Sequence, residues 1–188
     1  MLALLCSGFT LLSLTSPSAR AQAAVWAPGQ LGQTLYQNDP HDDVRQLLRQ
    51  GKYAQALTLV ERGAARNPRD PQMRFWQGFL YEQLGQAKAA KPVYQTLIEE
   101  FPELPEPYNN LAVLSAAEGD LGTARQLLEQ ALRANPNYAT AHDNLGDVLV
   151  QLARQSYLRA AQLDPSRLDA QRKAQSLGSA ARPAPTSK

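Results

Sequence analysis

Cysteine is almost missing from this chain: Cys6 is the only one among 188 residues, so no disulfide framework can hold the fold. Histidine is nearly as scarce. His41 and His142 stand about a hundred residues apart, so they cannot be read as a metal-ligand pair, and no metal site is expected. Neither sign of charge dominates, with 19 Lys and Arg against 17 Asp and Glu and a net charge of +2. That balance offers no basic face for nucleic acid or an anionic membrane surface, and neither is expected as a partner. Long apolar runs are absent as well. The longest stretch, Leu2 to Leu14, covers about 13 residues where a bilayer span needs about 20. No glycine-rich phosphate loop follows a strand, and no nucleophile stands beside a base. The adjacent acids Asp42-Asp43 and Glu99-Glu100 diverge around a helix rather than facing one cleft. Catalysis, cofactors and a stable membrane span are all unexpected.

The apolar stretch has another use. It is followed by Ser16, Pro17 and Ser18, then by Ala21-Gln22-Ala23, the small-x-small pattern of a secretory signal cut before Ala24. No Lys or Arg precedes it, which departs from the usual signal and leaves an apolar N-terminus of a cytoplasmic chain as the alternative. Removing residues 1–23 takes away Arg20 and leaves a net charge of +1. The expected divisions are a signal peptide at 1–23, an N-terminal segment at 24–38, a repeat domain at 39–177 and a disordered tail at 178–188. The exported location is periplasmic or otherwise outside the cytoplasm.

Self-comparison reveals a period of 34 residues. Gly51, Gly85 and Gly119 keep it, as do Ala56, Ala90 and Ala124, Pro68, Pro102 and Pro136, and Gly78, Ala112 and Gly146. Each track has a physical reading in a helix-turn-helix unit. Glycine ends the first helix in a left-handed conformation, small residues let the two helix axes approach, and proline stops the second helix. Tyr81, Tyr94, Leu97, Leu111, Leu114, Leu127, Leu128 and Leu132 recur at helical spacing and are assigned to the core. The pattern resembles the tetratricopeptide repeat, and from Asp70 to Pro165 it resembles uncharacterised exported proteins of that family from Gram-negative bacteria. The resemblance implies an all-α solenoid of about three regular repeats, a fused fourth repeat and a C-terminal capping helix.

The resemblance also implies a function. In this family the first helix of each repeat, helix A, lines a concave groove that takes a protein or peptide. Its groove positions here select Phe75, Trp76, Phe79 and Glu82, then Asn109, Asn110 and Val113, then Asp143, Asn144 and Asp147. Asn110 and Asn144 are one period apart, where a primary amide both donates to and accepts from a peptide backbone. Family members that hold a C-terminal carboxylate use Lys, Arg and Asn, whereas Glu106, Asp143 and Asp147 suit a segment with apolar and basic residues. The expected function is a non-enzymatic adaptor of the cell envelope; the alternative is a structural subunit that assembles through its convex face or end cap.

Repeat four breaks the period. Pro165 follows Pro136 by 29 residues rather than 34, and neither Gly nor Pro occurs from Asp147 to Asp164. The missing residues are those of the turn, which predicts one continuous helix from Ala139 to Leu163. Its second half then projects, with Leu149, Leu152, Tyr157 and Leu158 partly uncovered, and residues 149–163 are the candidate homodimer contact. Ser166 with Asp169 is expected to open the last helix as a capping box.

Overall fold

The computed structural model describes residues 39–180; the expected signal peptide, the segment 24–38 and residues 181–188 lie outside them. Its contacts divide the chain into residues 1–42 and 43–188. Of the first unit only Asp39 to Asp42 are described, where the Asp39 carboxylate accepts from the His41 N–H at 2.9 Å at the start of a helix. Among the described residues there are eight helices and no strand: α1 (Pro40–Arg49), α2 (Tyr53–Arg66), α3 (Pro71–Gln83), α4 (Ala87–Glu100), α5 (Pro105–Ala117), α6 (Leu121–Ala134), α7 (Ala139–Leu163) and α8 (Leu168–Ala180).

The period becomes geometry at the turns. Gly51, Gly85 and Gly119 have φ of 67°, 73° and 85°, a region that a side chain makes costly. There the chain closes the same two bonds in each repeat. In repeat two the Gly85 N–H donates to Glu82 O at 2.9 Å and the Gln86 N–H to Tyr81 O at 2.7 Å, so the last carbonyls of α3 stay paired while the chain reverses. The next helix then packs back. Ala56, Ala90 and Ala124 are fully buried on helix B of repeats one to three, because nothing larger fits between axes so close. Helix α4 runs unbroken through Pro92, whose carbonyl also accepts from Thr96 Oγ1 at 2.9 Å.

Among the described residues, three clusters make up the core of the 43–188 unit. Val44, Val60, Met73 and Leu80 centre the first, Tyr94, Leu97, Leu111 and Leu114 the next, and Leu121, Leu128, Ala141 and Val148 the last. Ion pairs join successive helices at the surface, Arg74 with Glu100 and Lys91 with Glu118. Being partly exposed, each contributes about 0–1 kcal/mol; burial of the apolar residues holds the stack.

Repeat four is fused as expected. α7 runs without a break for 25 residues, about 37 Å. One period after Gly119 stands Ala153, and without a residue at ease at positive φ the helix does not end there. Leu149 and Leu158 are exposed, whereas Leu152 packs against the last core cluster and Tyr157 lies under the Lys173 ammonium, 5.4 Å from its ring centre. Two expectations at this end are corrected. Helix α8 continues to Ala180, past Gly178 where a tail was expected. Ser166 does not form a box with Asp169: its hydroxyl and N–H both donate to Asp164, at 2.6 and 3.1 Å, because the chain must first turn at Pro165.

Gly119→Ala is therefore expected to destabilise the chain by about 1–2 kcal/mol, although alanine is the better helix former. Urea unfolding followed by circular dichroism measures the change.

Candidate functional site: the helix A face

The helix A positions come from α3, α5 and the first half of α7. Phe75 and Phe79 are half-buried on α3, and the Phe75 ring leans against that of Tyr94, centroids 6.0 Å apart and tilted by 46°. Trp76 departs from expectation. It is 9% exposed and belongs to the first core cluster, with the Arg45 guanidinium 5.9 Å from its ring centre. Phe75 and Phe79 pack against the core and stay partly exposed, while Trp76 is buried with residues of α1 and α2, so it supports the face without lining it.

The asparagines are tied together. Asn144 Nδ2 donates to Asn109 Oδ1 at 2.8 Å, Asn109 Nδ2 to Asn110 Oδ1 at 3.2 Å, and Asn110 Nδ2 to the Tyr94 hydroxyl at 3.0 Å. The Glu82 carboxylate is the next group beyond the Tyr94 hydroxyl, close enough for its charge to act on the phenol. Every donor points the same way, from α7 through α5 to α4, so each bond polarises the next and the row ends on the Tyr94 hydroxyl. Asn109, expected to face a ligand, is 4% exposed and forms the inner link. Asn110 and Asn144 are half-buried, and each has one amide N–H and acceptor capacity beyond the row.

Tyr94 was legible in the sequence only as core. It is fully buried, yet its hydroxyl joins repeat two to repeat three. It fits because Gly78 faces it: a Cβ added there would come within 2.6 Å of the ring. The pairing of a periodic glycine with a large tyrosine on the facing helix was the available signal.

Burial pushes the Glu82 carboxyl above the usual carboxylate range, against the lowering effect of the nearby Tyr94 hydroxyl. Among the described residues its Oε1 has no hydrogen-bond partner. Burial and the neighbouring Glu82 charge push the Tyr94 phenol up, so it stays a donor. Val113 and Asp147 are half-buried and Asp143 is exposed. His142 bonds Pro136 O at 2.9 Å, and among the described residues no three His, Cys, Asp or Glu side chains converge as metal ligands. The arrangement can bind through amides, rings and carboxylates.

Because the raised Glu82 group holds its proton more tightly folded than unfolded, its contribution to stability is complete below about pH 4 and is lost as pH rises through the folded value. Glu82→Gln keeps the shape of the side chain without its ionisable group and removes that loss. The variant should melt higher than the parent at pH 7, with the gain vanishing near pH 4, in thermal scans at both values.

A family model for the tetratricopeptide repeat matches residues 41–105 and 109–167. The probable biofilm formation methyltransferase WspC of Pseudomonas putida is 35% identical over 91 residues, which are 48% of this chain and 22% of that protein; the chain thus spans about a fifth of the relative's length. The repeat protein TTC0263 of Thermus thermophilus superposes with a TM-score of 0.56 at 28% identity, covering 74% of this chain and 79% of that one. The type III secretion chaperone SycD of Yersinia enterocolitica, solved in complex with a peptide of the translocator YopD, superposes with a TM-score of 0.55 at 16% identity, over 66% and 96% of the two chains. With the period, the positive-φ glycines and the matched span in agreement, the chain belongs to the tetratricopeptide-repeat family.

Proposed function

We propose that this chain is a non-enzymatic adaptor that binds an extended segment of another protein along the helix A face. The observation that carries the reading is the row from Asn144 to Tyr94. It fixes two asparagine amides one period apart on adjacent repeats, which lowers the entropy cost of gripping successive peptide groups. Phe75 and Phe79 supply apolar contact beside them, and Asp143 and Asp147 favour a ligand with basic residues. SycD, with its bound translocator peptide, supports such a use of the fold. The N-terminal pattern supports action in the cell envelope, after removal of residues 1–23.

Peptides selected from a random display library on the folded chain provide the test. The double variant Asn110→Ala, Asn144→Ala should bind them at least about tenfold more weakly by calorimetry, while Arg125→Ala on α6 binds as the parent does. Equal affinity in the double variant would sink the groove reading. Export is checked separately: the chain recovered from an envelope fraction should begin at Ala24 by mass spectrometry.

A further inference from the structure

Repeats two and three fold helix B onto their own helix A, and repeat four does not. Gly78 on α3 lies against Tyr94 of α4, and Ala112 of α5 is fully buried. One period on stands Gly146 of α7, where an added Cβ would meet nothing within 4 Å. Leu149 of α7 is 46% exposed, although its counterpart one period earlier, Ser115, is buried. Among the described residues, nothing fills the seat on α7 for a helix B.

The helix that belongs in that seat is the second half of α7 itself. With the shortened step of 29 residues that carries Pro136 to Pro165, Ala124, Leu128 and Ala131 of α6 become Ala153, Tyr157 and Ala160. The first three are buried; the second three are only half-buried. The same step carries Ala141 and Leu145 of α7 to Ala170 and Ala174 of α8, both buried. Helix α8 packs on α7, with Lys173 over Tyr157 and Gly178 beside Arg154. It thus takes the place of the following helix A and leaves open that of the preceding one. One straight helix cannot supply it: Gly146 and Tyr157 share a face of α7 but lie about 16 Å apart along its axis.

We propose that α7 pairs with α7 of a second copy, antiparallel about a two-fold axis near Gln151 and Leu152, so that Gly146 of each copy receives Tyr157 of the other. The register comes from repeat two. The contact between Gly78 and Tyr94, carried forward by the same steps, becomes Gly146 with Tyr157. The midpoint of that pair coincides with the middle of α7, Ala139–Leu163, so the register that restores the glycine-tyrosine contact also lays the two helices side by side over their full length. The contact is isologous and closes at two copies. It completes repeat four twice over, each copy lending the other its helix B, and α8 stays where it is.

Sedimentation of the full chain should show a dimer. Gly146→Leu puts a side chain where one copy has open space and the pair has a tyrosine, so it should weaken association at least about tenfold without lowering the helix content of the monomer. Crosslinking adds an independent reading, in a Cys6→Ser background with a short bis-maleimide. A mixture of the Gly146→Cys and Tyr157→Cys chains should crosslink, and either chain alone should not, because like positions in the pair lie about 16 Å apart along the axis. A chain that sediments as a monomer overturns the proposal, as does a dimer indifferent to Gly146→Leu or crosslinked equally well by either variant alone. A monomer that Gly146→Leu destabilises also overturns it and assigns the seat to another segment of the same chain.

Discussion

Close approach of two helices, made possible by a missing side chain, is the constraint on which the rest of this molecule depends. Tyr94 reaches the interior because Gly78 leaves room for its ring. Once there, it fills the core between repeats two and three and brings a hydroxyl to the edge of the helix A face. A larger residue at 78 would push α4 outward, and the cost would be a lost polar row as well as a cavity. Packing and the polar row share one contact here.

The polar row shows how such a stack tolerates buried amides. Asn109 is as buried as the leucines around it, and it is acceptable because both ends of its amide are engaged, one by repeat four and one by its own neighbour. Glu82 is the opposite case. Its burial is only partly offset, with one oxygen lacking a donor, and such a group persists in a fold where stability is not the only requirement.

Much of this was legible in the sequence because the period repeats its own evidence. Glycines at 51, 85 and 119 announce the turns, since only a residue without a Cβ is at ease at the φ they adopt. The fused helix could also be read, from a proline step five residues short and a stretch without glycine. Side-chain direction was harder to read. Groove positions taken from the family placed Trp76 and Asn109 toward a ligand, whereas local packing turned both inward. The role of Tyr94 was hidden for the same reason: hydrophobic periodicity marks a tyrosine as core and says nothing of where its hydroxyl ends. The Ser166 turn was misread because Asp164, two residues earlier, competes for the same hydroxyl.

The uninterrupted α7 also changes the mechanics of the stack. Elsewhere a turn of three or four residues separates one helix from the next, and each joint can absorb a small rotation. Between Asn144, at the end of the polar row, and Tyr157, under Lys173 of α8, there is no joint, only a continuous ladder of backbone hydrogen bonds. A tilt imposed on the first half of that rod meets no joint in which to relax, so it is carried along the rod toward α8.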